Sequence, residues 1–255
     1  MTSTSMRGVD VATITPIPYR EAIAMAAVEH RRVADLLAAL PADAWSRPTD
    51  CARWDVKALA LHLLGSLDGQ ASIRQFIHQR RHGRPLTAEI GGVHWVDGMN
   101  ELQIRERAHL SPPDIVRRIR ETAPRAEHAR RRIPPPVRAL RVLELGPPVG
   151  RVRVDYLTGM GLTRDAWMHR IDICRAVNQT AALTPEHDGR LIADIVAEWA
   201  RLHGEPFTLI LTGPAGGQYR QGTDGPTHEV DAVQLCRILS GRAHGEGVLR
   251  HPLPL

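Results

Sequence analysis

Trp199-Ala200-Arg201-Leu202-His203-Gly204-Glu205-Pro206-Phe207-Thr208-Leu209-Ile210-Leu211-Thr212-Gly213 is the stretch in which the chain changes its period. Upstream, Thr184-Pro185-Glu186 caps an amphipathic helix with Leu191, Ile195, Val196, Trp199 and Leu202 on its inward face. Gly204 is the residue type that ends helices. Phe207–Leu211 is a short strand-like run, followed by a Gly-Pro-Ala-Gly-Gly turn and a second strand expected near Gln218–Gln221. Asp231 to Leu239 reads as a helix ending at Gly241, and Gly247–Arg250 as a final strand. Between residues 18 and 180 the pattern is mainly one of helices. The switch predicts a mainly α chain, a helical bundle followed by a small α/β (α+β) domain.

The upstream helices are each marked by their ends. One runs from Pro18, a favoured first helical position, to Leu40, with Ile23, Ala27, Ala34 and Leu37 as its apolar stripe and His30 on the same stripe. A second starts at the N-cap Asp55 and runs towards Gly83. A shorter one spans Val96 to His109. Ser111-Pro112-Pro113-Asp114 then resembles a capping box, opening a helix that ends before Pro134-Pro135-Pro136. The Pro-rich residues 133–156 read as extended connection with room for a short strand, and another helix covers Thr158 to Val177. Residues 1–17 read as a polar tail, so the expected division is 1–17 tail, 18–180 bundle and 181–255 C-terminal domain.

Composition narrows the class. With 255 residues, 43% apolar and 24% charged, the chain can bury a core without staples. Aromatics are only 4%, so Ala and Leu must carry most of the packing, and both favour helices. The net charge of +5 raises the question of nucleic acid. The basic residues are almost all Arg, with Lys57 the sole Lys, and they alternate with acids; the densest run, Arg130-Arg131-Arg132, closes a helix whose dipole it complements. No nucleic-acid partner is expected. Cys51, Cys174 and Cys236 are scattered and odd in number, and read as reduced, buried thiols. The N-terminus lacks a signal-peptide pattern, and no apolar run approaches the roughly 18 residues of a membrane span. A cytoplasmic protein without membrane attachment is the expectation.

Two segments carry chemistry. His62 has Ala58, Gly65, Ser66 and Gly69 at its helical neighbour positions, all small. Two glycines on one helical face cost about 1 kcal/mol each against Ala, and point either to close helix packing or to space kept beside the imidazole. In Arg164-Asp165-Ala166-Trp167-Met168-His169-Arg170-Ile171-Asp172, Asp165 and His169 lie four apart, on one helical face. Asp172 either supports them from behind or faces water. His62, Asp165 and His169 together would offer two nitrogens and a carboxylate oxygen, a set that suits zinc and leaves a coordination position open, although nickel or iron would accept it too. His78 and His82 are also four apart, but cationic crowding by Arg74, Arg80, Arg81 and Arg84 disfavours them, and His30 is the better rival. HExxH, GxSxG, Walker A and GxGxxG motifs are absent.

A resemblance adds to this reading. Trp45-Ser46-Arg47-Pro48-Thr49-Asp50-Cys51-Ala52-Arg53-Trp54-Asp55-Val56 followed by His62-Leu63, then Val96-Asp97-Gly98-Met99-Asn100, then Arg164 to Ala176, and finally Ser240-Gly241-Arg242 resemble, in that order, the mycothiol-dependent maleylpyruvate isomerase branch of the DinB-like bundles. The resemblance spans about residues 18–250. It implies an antiparallel four-helix bundle with an internal divalent metal, most readily zinc, and a small α/β domain behind it. The family's ligands, a His on the second helix and Glu-x3-His on the fourth, map onto His62, Asp165 and His169, with Asp165 one methylene shorter than the usual Glu. Arg242 matches an Arg expected near the substrate entrance, as a catalytic residue. Mycothiol would be the thiol cofactor and the substrate a small electrophile. A thiol near pKa 8.5 is barely ionised at neutral pH, and metal coordination deprotonates it. Its addition to an activated double bond, rotation and elimination would isomerise the substrate; another electrophile would give S-transfer. Two other functions fit the same residues: metal-assisted hydrolysis, and a non-catalytic binding protein that has lost its metal.

Overall fold

The computed structural model describes residues 8–255, which fall into two compact units. Among the described residues, the smaller unit comprises 8–18, Pro147–Val149 and Ala182–Leu255; the larger comprises Tyr19–Gly146 and Gly150–Ala181. Residues 1–7 of the expected polar tail lie outside the described residues. The rest of that tail is not loose: β1 (Val9–Asp10) pairs in parallel with a strand of the smaller unit, described below. A two-residue strand leaves no periodic signal, so only its partner makes it visible.

The larger unit is helical. Its helices are α1 (Tyr19–Ala38), α2 (Val56–Ala71), α3 (Ile73–Glu89), α4 (Trp95–Arg107), α5 (Pro112–Arg131), two short turns α6 (Pro135–Arg138) and α7 (Val154–Tyr156), and α8 (Leu162–Ala176). Between α6 and α7 stands a hairpin of β2 (Arg141–Glu144) and β3 (Arg151–Arg153). α1, α2, α5 and α8 form a DinB-like four-helix bundle, and α3 with α4 makes a side hairpin against α2. The core between them is Leu59, Leu64, Leu67, Leu37, Ile115 and Ile119, all essentially without exposure. Burying each such side chain stabilises by about 1.5–3 kcal/mol.

One expected helix is two. The pattern from Asp55 to Gly83 breaks at Ser72, which takes extended backbone (φ −146°) and caps α3 by accepting from the Gln75 N–H. Ser competes for backbone hydrogen bonds as a cap, and nothing in the hydrophobic spacing reports that. The expected Thr158–Val177 helix begins with a wider π-type turn at Leu157–Gly161. The buried Arg130 guanidinium donates to the Thr158 and Gly159 carbonyls there, and burial pulls its pKa down to about 10. The Gly159 carbonyl also accepts from the Thr163 hydroxyl at 2.8 Å, so the polar groups of the widened turn are satisfied from the side chains around it.

In the smaller unit, Thr184 caps the turn Pro185–Gly189 that leads into α9 (Arg190–His203). Leu191, Ile195, Val196 and Trp199 are buried as expected, but Leu202 is 43% exposed, because it lies beyond the edge of the buried stripe at the last turn. A mixed sheet follows in the order β1-β5-β4-β6, with β4 (Phe207–Thr212) antiparallel to β5 (Gly217–Gln221) and parallel to β6 (Thr227–Asp231). Phe207, Leu209 and Leu211 alternate inward along β4. Asp231 ends β6 and caps α10 (Ala232–Leu239), accepting from the Val233 and Gln234 N–H groups. The expected final strand at Gly247–Arg250 is a 3-10 turn, since a run of four residues has no strand partner there. Among the described residues, no helix is long and apolar enough to cross a membrane.

Candidate metal centre

α2 starts where the sequence says it should: the Asp55 carboxylate accepts from the Ala58 N–H at 2.7 Å. Two turns in, His62 stands among Leu59, Leu61, Leu63 and Leu64, 3% exposed. Across the bundle, α8 is almost wholly buried and places Asp165 and His169 one turn apart. The two imidazole centroids are 5.1 Å apart, edge to face. Asp165 Oδ1 lies 3.6 Å from His62 Nε2 and 3.3 Å from His169 Nε2, and all three donor atoms fall within 4.8 Å of one another. These spacings exceed a good N–H···O hydrogen bond. They approximate the ~3.3 Å edge expected between ligands around tetrahedral zinc at its usual bond lengths.

Each imidazole is oriented from behind. His62 Nδ1 lies 2.9 Å from Gln103 Oε1, and His169 Nδ1 lies 2.9 Å from Asp172 Oδ2. Both partners accept, so both Nδ1 atoms donate and both Nε2 atoms point towards Asp165, each as a lone pair whenever its ring is neutral. His62 Nε2 is buried with no hydrogen-bond partner among the described residues. A buried lone pair without a partner is costly, and a divalent cation is the partner that would satisfy it. The donor set therefore fits a metal.

Electrostatics of the metal-free cluster are dominated by a contest. Burial alone would raise the Asp165 pKa, but His169 and then His62 hold it well below the carboxylate range. Burial likewise opposes a charge on His169, and Asp165 with Asp172 and Cys51 overcomes it, raising His169 well above the ordinary imidazole value. A proton held between Asp165 and His169 takes the place a cation would compete for.

Two residues join the cluster that the residue pattern did not single out. Cys51, expected as a buried hydrophobe, is half-buried with Sγ 3.5 Å from Asp172 Oδ2 and 4.0 Å from His169 Nδ1. Cys174 and Cys236 are buried as expected. Trp54 stacks on His62 with centroids 5.0 Å apart and is tilted against His169 at 6.0 Å. Both residues sit in the non-helical stretch before α2, where no periodicity reports direction.

The small neighbours of His62 are explained by packing. A Cβ on Gly65 would stand 2.4 Å from Gln103 Cβ, and one on Gly69 would stand 2.7 Å from Gln79 Oε1. His30 is buried on α1; burial first, then the charge of Arg130, brings its pKa down to about 4 and leaves it neutral. It is not among the donors that converge. His78 is engaged with Glu106 at 2.5 Å and its ring is tilted against that of His82, with centroids 4.7 Å apart. Arg242 lies in the smaller unit, in the turn after α10, where its N–H donates to the Arg237 carbonyl at 2.8 Å.

Fold and clustered donors define the class, a DinB-like helical bundle continued by an α/β portion. The model of the mycothiol maleylpyruvate isomerase N-terminal domain matches residues 26–174, more than half of the chain. The chain belongs to that family. Two solved structures share its fold: a mycothiol-dependent maleylpyruvate isomerase, 17% identical with a TM-score of 0.56, and a histidine-to-alanine mutant of a mycothiol-dependent maleylpyruvate isomerase, 16% identical with a TM-score of 0.56. Each comparison covers 90% of this chain and 92% of the other. No sequence among the curated proteins matches the chain.

Proposed function

We propose that the protein is a metal-dependent enzyme that uses mycothiol to isomerise, or to transfer sulfur onto, a small electrophilic substrate. His62, Asp165 and His169 would hold the metal, and zinc suits this donor set best. The observation that carries the reading is the buried Nε2 of His62, unpartnered and facing a carboxylate and a second imidazole. A bound divalent metal lowers the pKa of a coordinated thiol, so that it is a thiolate at neutral pH.

The chain's own residues supply the setting. Asp172 and Gln103 fix the two imidazoles so that no reorientation is needed when a ligand arrives. Asp165 places one negative charge against the site, and two neutral imidazoles leave net positive charge on a bound cation for an anionic thiol to neutralise. Trp54 covers one face of His62 and keeps water from that side. Arg242 is proposed as a substrate-facing cation on the strength of the family resemblance. Asp165, in place of the longer Glu, would supply the carboxylate oxygen of this donor set.

Metal content by mass spectrometry on untagged protein, wild type beside His169→Ala, tests the site. About one zinc per chain, lost in the variant, is expected. Turnover of maleylpyruvate or another electrophile with and without mycothiol tests the activity: turnover that persists without any low-molecular-weight thiol would point to metal-assisted hydrolysis instead. Wild-type protein that takes up no metal on incubation with zinc would sink both enzyme readings.

A further inference from the structure

We infer that a buried relay of two amides, Gln79 and Gln103, sets the tautomer of His62 and so decides which of its nitrogens is offered to a metal. Gln79 is thereby a positioning residue, although two hydrogen bonds separate it from the imidazole. The inference rests on His62 being a ligand, as proposed above.

The relay has a direction because one end cannot be reversed. It ends on the main-chain carbonyl of Gly65, which can only accept. Gln79 Nε2 donates to that carbonyl at 2.8 Å. Gln79 Oε1 therefore points the other way and accepts from Gln103 Nε2 at 2.9 Å. Gln103 Oε1 is left facing His62 Nδ1 at 2.9 Å. An amide oxygen accepts only, so Nδ1 must carry the hydrogen, and the neutral ring keeps its lone pair on Nε2, towards Asp165. Turning either amide over would set two acceptors or two donors against each other somewhere along the chain. Both glutamines are 1% exposed, so water does not repair a reversed link.

The sequence around His62 is spent on this relay. Gly65 and Gly69 lie one and two turns after His62, and their missing Cβ atoms are the space that Gln103 and Gln79 occupy. Gly65 therefore gives Gln103 room and supplies the carbonyl that orients Gln79. Arg107 adds a clamp: its Nη1 donates to the Gln103 carbonyl at 2.9 Å, while its Nε and Nη2 hold Asp68 on α2.

The test uses metal-free full-length protein with 15N-labelled histidine, read by NMR at about pH 8, where imidazoles of ordinary pKa are neutral. The wild type is expected to show His62 protonated on Nδ1. Gln79→Met should give a mixture of tautomers, and Gln103→Met should lose the preference. Gln103→Glu keeps an acceptor against Nδ1 and should restore the preference, although its second oxygen then opposes Gln79 Oε1 and costs stability. Zinc affinity by chelator competition should fall about 10–100-fold in the two Met variants and only a few-fold in Gln103→Glu. A wild-type His62 protonated on Nε2 overturns the inference. So does a Gln79→Met variant that keeps both tautomer and zinc affinity. If Gln79→Met does not fold by circular dichroism, the wild type and the Gln103 pair still decide it. Absence of zinc binding by the wild type would remove His62 as a ligand, while the NMR signals would still report the relay.

Discussion

His62 on α2 and His169 on α8 face the same carboxylate, yet they are held from behind in opposite ways. His62 stands in a helix otherwise packed with leucines, and the group behind it is a neutral amide from α4. Behind His169 is Asp172, fully buried, in a helix dense with buried charge: Arg164 is 1% exposed, Arg170 3% and Asp172 0%. An amide orients a ring without changing its basicity, whereas a carboxylate orients it and makes it more basic. The two-helix site thus pairs one imidazole tuned for geometry with one tuned for charge. The helix bearing the second must also be anchored electrostatically, which it is: Arg170 Nε donates to Glu29 on α1 at 2.6 Å.

The anchoring gives the largest expected effect. Glu29→Ala would remove a buried carboxylate that pairs with both Arg170 and Arg32, and should lower unfolding stability by about 3–5 kcal/mol in urea titrations. An exposed pair such as Arg117–Glu121, 3.2 Å apart, is screened by water and should contribute far less in the same assay. A Glu29→Ala loss no greater than the surface pair's would break the claim that α8 is held by charge.

Next comes the carboxylate itself. Asp172→Asn keeps the shape behind His169 but removes the charge, and zinc affinity should drop about 10–100-fold. An Asp172→Asn protein with wild-type affinity would make the two histidines equivalent after all.

The pH response separates them further. His169 in the metal-free protein is raised above its ordinary value of 6.5, so its contribution to stability is full below that value and is lost as pH rises through the raised one. The melting temperature of metal-free protein should therefore decline as pH climbs above neutrality. Zinc affinity should increase over the same window, because the cation displaces that proton. A melting temperature that rises with pH there would reverse the assignment.

The smallest effects concern the glycines. Ala is the better helix former by about 1 kcal/mol, but Gly65→Ala would drive a Cβ into Gln103 Cβ, so it should destabilise the protein and weaken zinc binding. Gly69→Ala meets only the end of the Gln79 side chain and should cost less, as judged by denaturation midpoints. Equal midpoints for both variants and the wild type would show that the packing can yield.

Much of this was legible beforehand because the relevant signals are local. Asp55, Ser111, Thr184 and Asp231 each announce a helix start through a side-chain oxygen that caps the first turn, and each does so in the structure. Asp165 and His169 share a face by spacing alone. The break at Ser72, the strand at Val9–Asp10 and β6 at Thr227–Asp231 were not visible, since a cap can interrupt a continuous pattern and a short edge strand exists only through its partner. The Gln79–Gln103 pair was equally hidden, because two amides twenty-four positions apart carry no motif.

The sequence by itself determined which residues could bind a cation, which helices carry them and where helices give way to strands. These follow from side-chain chemistry and from periods of two and 3.6 residues. Tertiary structure decided the rest. It brought His62 to within 3.6 Å of a carboxylate more than a hundred positions away, placed Cys51 and Trp54 beside the donors, and chose which nitrogen of each ring faces inward. Those choices depend on a hydrogen-bond partner or a packing neighbour supplied by another helix, and no local preference of the chain encodes which one arrives.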